Sequence, residues 1–433
     1  MMVSALYAGT ARVIITPPLG CRLDGSYSLD FAEHILDDLF ANVVVLDDGC
    51  VEVVLIAADV TSIPGPTVKE IAERIEQTCG ISKHHVIITP SHTHSSTSMG
   101  TTLLGKLPVH WDYVESVKLK MVEAVDAARR AKQPVRLGVG RSSNPNHVFN
   151  RRLTAPDGSI RMNWVKDDLD GCVSEGIVDP EMLVIKLVDE NGRAVAFLVN
   201  YAMHNNAVGR PNISADISGH MTKVLQSVYG ESIVVLFLPG ACGDINFIDF
   251  RTYEWGNPEN YKKIGLGLAG TIMELDPVLY YPEELGLSMT YTAVNIAERL
   301  YTDRDTKEDA TFGTAATEPF FAYYKEARAM HGHEEPGSHE FTIYCLTIGS
   351  RIALLTNPAE LFVELGLEIK QASPYDYTFL ATLTNGLAGY VPTREAFARG
   401  GYEIRKMPVF SYLELDAGER FVQASLALLQ GKA

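Results

Sequence analysis

Several apolar, β-branched runs in this chain stop abruptly at a short polar turn that carries a histidine, an acid or a tyrosine. Ile87-Ile-Thr-Pro-Ser-His-Thr-His-Ser-Ser96 is the plainest case. The same pattern recurs in Phe197 to His204, in Val234 to Asp244 through the turn Gly240-Ala-Cys-Gly-Asp244, in Ile352 to Glu360, and in Phe379 to Tyr390. Runs of this kind read as buried strands. In open α/β sheets ligands bind beyond the carboxyl ends of the strands, so residues far apart in sequence converge there.

The intervening segments alternate with helical patterns. Val51 to Asp59 reads as a strand, and Gly65 to Thr78 as a helix with Val68, Ile71, Ala72 and Ile75 on one face. His85 to Thr89 is the next strand, and Trp111 to Lys132 reads as a long amphipathic helix on Val114, Val117, Met121 and Val125. Antiparallel hairpins are expected further on, one through Asn191-Gly192 between Met182–Val188 and Ala194–Asn200, another through Gly349-Ser350 between Phe341–Ile348 and Arg351–Thr356. The fold class is therefore α/β, with mixed parallel and antiparallel sheets flanked by helices. Residues 301–339, charged and holding His331, His333 and His339, read as a mobile insertion in one large domain spanning 1–433.

A formal charge of -17 and a pI near 5.2 disfavour nucleic acids and anionic membranes, which need a basic footprint. Small-molecule partners are expected, with self-association left open. The amino terminus lacks a cationic, apolar leader pattern, and the apolar runs fall short of a spanning helix. Six widely spaced cysteines without a C-x-x-C pair fit free thiols in a reduced, cytoplasmic setting.

Taken alone, each polar residue has an ordinary reading beside the chemical one. His92 and His94 are expected to diverge from an extended segment unless a turn intervenes, so that one rather than both would be a metal ligand. His204 is either a hydrogen-bonded structural histidine or a ligand. Glu360 suits the first turn of a helix running through Glu368. Tyr390 suits simple packing. Their combination is what points to a site.

That combination resembles the catalytic domain of the neutral/alkaline, non-lysosomal ceramidase family. The resemblance begins at Ala8-Gly-Thr-Ala-Arg-Val-Ile-Ile-Thr-Pro-Pro-Leu-Gly20 and runs through Ser91-His-Thr-His-Ser95, Asn200-Tyr-Ala-Met-His204 and Ser214-Ala-Asp216. It ends with Asn357-Pro-Ala-Glu360 and Asn385-Gly-Leu-Ala-Gly-Tyr-Val-Pro-Thr-Arg-Glu395. It implies a zinc site made of His92, His204, Glu360 and Tyr390, a nitrogen and oxygen set that suits zinc with water completing a catalytic centre. It places His94 close by as an acid/base or oxyanion partner. It also places Arg151 in the site, where a guanidinium would stabilise an oxyanion; the ordinary alternative is a surface salt bridge. Asp216 and Asp244 would orient the histidines, or Asp216 would cap a helix.

The chain departs from the family at one position. Where the family carries its nucleophilic serine, two residues after the Asp of a Gly-Asp turn, this chain reads Gly243-Asp244-Ile245-Asn246. Asn246 forms no acyl-enzyme but can donate a hydrogen bond to an oxyanion, which leaves attack by metal-activated water. Cys242 and Ser95 are the remaining nucleophile candidates. The family's C-terminal β-sandwich is not expected here. These readings imply a zinc-dependent hydrolase of an N-acyl amide. The alternatives are a ceramidase acting on lipid amides and a metal-retaining ligand-binding pseudoenzyme.

Overall fold

Alternation of side chains along strands explains how this chain builds its core. In the strand Phe40–Asp47, Val43 and Val45 face one way and Val44 and Leu46 the other, and all four are buried. The neighbouring strand Glu52–Ala58 does the same, with Val54 and Ile56 on one face and Val53 and Leu55 on the opposite one. A sheet covered on both faces reads as a continuous apolar run, as seen in the sequence. The computed structural model describes residues 5–26, 28–100, 107–165, 169–300, 302, 305, 337–406 and 410–432.

Three main sheets repeat one plan. The first has the order Val86–Pro90, Glu52–Ala58, Phe40–Asp47, Tyr7–Ile14, Gln133–Pro134, and only its first pair is parallel. The second runs Val234–Pro239, Ala194–Tyr201, Glu181–Val188, Arg136–Ser143, again parallel only at the Val234 edge. The third runs Leu287–Ala297, Ser338–Ile348, Ile352–Thr356, Tyr377–Ala381, with the parallel pair formed by its last two strands. Both expected hairpins are present. Gly192 and Gly349 take the positive φ their turns need, at 79° and 58°.

The inner faces of all three sheets share one core, in which Leu55, Ile87, Leu198, Leu236, Leu354 and Phe379 meet. Each outer face is covered by its own helix pair: Gly65–Cys79 with Trp111–Arg130, Asp216–Tyr229 with Asn260–Leu275, and Val363–Ala372 with Ala417–Leu429. Burying each inward Leu, Val or Phe contributes about 1.5–3 kcal/mol. The sheets are also stitched by polar side chains, each worth about 1 kcal/mol net. Asn200 donates to the Leu238 and Leu380 carbonyls at 2.8 and 2.9 Å, joining the second sheet to the third. Asn385, at φ 58°, donates to the Val86 carbonyl at 2.9 Å and accepts from the Ile88 amide, joining the third to the first. Apolar burial therefore holds the sheets together, while the asparagines set their relative register. The consequence is that the carboxyl ends of the three parallel pairs emerge side by side.

Most of the segment 301–339 lies outside the described residues, His331 and His333 included. His339 belongs to the strand Ser338–Ile348 and pairs with Glu298 at 2.7 Å. All six cysteines are free thiols. Among the described residues no helix is long and apolar enough to cross a membrane.

Candidate metal centre

Each sheet delivers part of one cluster from the end of its parallel pair. His92 and His94 follow Val86–Pro90, and His204 follows Ala194–Tyr201. Glu360 lies in the short strand Ala359–Leu361, directly opposite Tyr390 in the parallel register with Gly389–Val391. A bridge between Thr93 and Asn205 ties the two histidine turns together. Gly243 permits the closest approach, since a Cβ there would collide with the Glu360 carbonyl oxygen.

The expectation that His92 and His94 diverge is overturned. Residues two apart on an extended chain share a face, and His92 itself takes the left-handed conformation at φ 61°. Their Nε2 atoms stand 3.3 Å apart. The imidazole nitrogens of His92, His94 and His204 available to a metal all lie within 4.8 Å of one another.

The orientation of each ring is fixed by a backbone carbonyl. Nδ1 of His92 donates to Thr61 O at 2.7 Å, Nδ1 of His94 to Gly25 O at 2.8 Å, and Nδ1 of His204 to Ile245 O at 2.9 Å. With the proton on Nδ1, each Nε2 presents a lone pair to the centre, which is how ligating histidines are held. Glu360 adds an acceptor, its Oε2 lying 3.3 Å from Nε2 of His204 and 3.6 Å from Nε2 of His92. That oxygen is buried and has no hydrogen-bond partner among the described residues.

Lone pairs gathered this closely repel unless a cation sits among them, so the donor set fits a metal ion. Burial, aided by the nearby Arg151, depresses His204 to about 4, and burial with the two neighbouring histidines holds His94 well below its usual value. Burial opposes charge on Glu360, yet the facing His204 and His92 hold its carboxyl well below the ordinary range. At neutral pH this gives neutral imidazoles at His204 and His94 and an ionised Glu360, the states a metal requires. Burial pushes the Tyr390 phenol well above its usual range, with Glu360 adding to the rise and Arg151 opposing it.

Arg151 is no surface residue. It is 3% exposed, its Nε donates to Glu403 at 2.8 Å, and its Nη1 lies 3.1 Å from Nε2 of His204. The rings of Trp164, Tyr390 and Tyr402 surround the guanidinium at 5.2–5.5 Å. The ordinary alternative for Glu360, an acid in the first turn of the following helix, does not hold, because that helix starts at Val363. Asp216 and Asp244 do not orient the histidines. Asp216 accepts the amides of Ala207, Val208 and Ile217, fixing the turn after His204. Asp244 accepts from Val363 N and Asn150 Nδ2, and its carbonyl accepts the Arg151 amide.

Asn246 is locked in a reciprocal amide pair. It donates to Asn163 at 2.7 Å and accepts from it at 2.9 Å, while also accepting the Ile248 amide. Cys242 is fully buried, and burial pushes its thiol far up. Ser95 Oγ is spent on the Val208 carbonyl at 3.5 Å. Sequence reasoning missed Glu403, Asn163 and the three carbonyl anchors. Glu403 sits in a polar stretch that reads as solvated, and backbone anchors leave no residue-type signal.

No family model matches the chain, and no curated protein matches it. Solved structures do. The crystal structure of neutral ceramidase from Pseudomonas aeruginosa superposes with a TM-score of 0.76 at 19% identity, covering 99% of this chain and 75% of that one. A ceramidase complexed with C2 gives 0.76 at 18% identity, covering 99% of this chain and 76% of that one. With mixed sheets flanked by helices and its site at the ends of three parallel strand pairs, the chain has a neutral-ceramidase-like fold.

Proposed function

We propose that the protein is a zinc-dependent hydrolase that cleaves the amide bond of an N-acyl substrate with water as the attacking group. The observation that carries this reading is the set of Nε2 lone pairs of His92, His94 and His204 converging beside the unpartnered Oε2 of Glu360. The likeness to ceramidases supports an amide as the scissile group. His92, His204, Glu360 and Tyr390 would hold the metal, with His94 beside them at the mouth. When bound, zinc supplies Lewis acidity and lowers the pKa of water toward about 7.

The chain's own residues do the rest. Nη2 of Arg151 is buried without a hydrogen-bond partner among the described residues, so it is available to an oxyanion. His94, half-buried and neutral, can take a proton at Nε2 from the attacking water and pass that proton to the departing amine. Asn246 carries no nucleophilic atom, and Asn163 holds its amide in place. No acyl-enzyme is formed.

The test is release of free amine from a panel of short-chain and long-chain N-acyl compounds, with and without chelator. Chelator-sensitive amine release, without a covalent acyl adduct by intact-mass measurement during turnover, is expected. A stable acyl adduct would contradict the water mechanism. Absence of release across the panel from zinc-loaded protein would contradict the amidase reading.

A further inference from the structure

The environment of Arg151 places a permanent positive charge against a residue that the metal reading also needs. Its Nη1 lies 3.1 Å from Nε2 of His204, the atom turned toward the centre by the Ile245 carbonyl. A guanidinium does not deprotonate in a protein, so it cannot neutralise to make room for a dication. Its position is anchored as well. Its backbone amide is held by Asp244 O and its carbonyl by Asn163 N, both at 2.8 Å, and its Nε is held by Glu403.

Glu403 compensates that charge only in part. It is fully buried and shared, with Oε1 accepting from Arg151 and Oε2 accepting from Arg152 at 2.8 Å each. Arg152 has a further partner in Glu175, so removal of Arg151 would not strand Glu403. Arg151 therefore shares Glu403 with Arg152, and its guanidinium charge stays fixed beside His204.

We propose that Arg151 is an affinity-setting residue of the metal centre, which competes with the metal for His204 and, through its fixed charge, weakens metal binding below what the donor set would give. The inference rests on the metal-centre reading above. The physical reason is simple. A unit charge and a dication a few ångströms apart repel strongly even at an effective dielectric constant of ~20, and the donated hydrogen bond occupies a lone pair the metal would use. The compensation is functional, because the same guanidinium presents its unpartnered Nη2 to an oxyanion.

The experiment is zinc affinity of the full chain by competition with a chromophoric chelator, with circular dichroism and denaturant unfolding to verify folding. Arg151→Met and Arg151→Gln, the latter keeping a donor without the charge, are expected to bind zinc at least about tenfold more tightly than wild type. Glu403→Gln, which removes compensation, is expected to bind it more weakly. A merely structural role for Arg151 would weaken binding in the Arg151 variants too, so equal or weaker affinity in either folded variant overturns the proposal. Wild type that binds zinc beside variants that gain nothing sinks this inference alone. If neither wild type nor the Arg151 variants take up zinc, the metal-centre reading falls and this one with it.

Discussion

The two flanks of the cluster treat their polar atoms in opposite ways. On one flank, the Nε2 atoms of the three histidines and Oε2 of Glu360 face each other as acceptors, with Arg151 offering a donor. On the other, Asn163 and Asn246 satisfy each other and take up the Ile248 carbonyl and amide as well. His92, His204 and Glu360 are buried, as are Asn163 and Asn246, so the difference is not one of solvent access. Groups left unsatisfied in a buried, rigid setting mark a place built for a ligand, whereas a closed network marks scaffold. Asn246 belongs to that closed network.

Acid separates the two flanks by the largest margin. His204 titrates at about 4 in the folded chain, below the usual 6.5, because burial disfavours its charge. The unfolded chain therefore binds more protons between those values, and metal-free protein loses stability as pH falls through that window. The loss is on the order of 3 kcal/mol by linkage. A His204→Gln variant has no such group, so the difference in unfolding free energy between wild type and variant, followed from pH 7 to pH 4, should shift in the variant's favour by that amount. A pH-independent difference would mean that His204 is not held neutral by its surroundings.

The closed flank gives a smaller effect of a different kind. Asn163→Ala strands the buried amide of Asn246 and should cost about 1–3 kcal/mol in denaturant unfolding, while metal content stays as in wild type. A loss of metal in this variant would show that the two flanks are one network.

Much of this architecture was legible in the sequence, for identifiable reasons. The helix at Gly65–Cys79 announces itself through 3.6-residue periodicity, the strand at Val86–Pro90 through a short β-branched run, and Asn191-Gly192 specifies its hairpin. What no local pattern encodes is that three sheets share one inner core, because that depends on which buried face meets which. The asparagines that set their register, Asn200 and Asn385, look in sequence like ordinary strand-end and turn residues. The histidine turn was misjudged because residues two apart on an extended segment share a face and need no turn to converge; the left-handed His92 has no signal in Ser91-His-Thr-His. Arg151 could equally have been a surface ion pair. Its burial follows from Glu403, 252 positions away.

If the converging histidines and Glu360 are a metal centre, the purified protein carries metal in proportion to that site. Elemental analysis would be made on purified wild type after zinc reconstitution, alongside His204→Ala and Glu360→Ala. Near-stoichiometric zinc in wild type, lost in both variants that remain folded, is the predicted result. Wild type without zinc after reconstitution, or folded variants that keep it, would contradict the account.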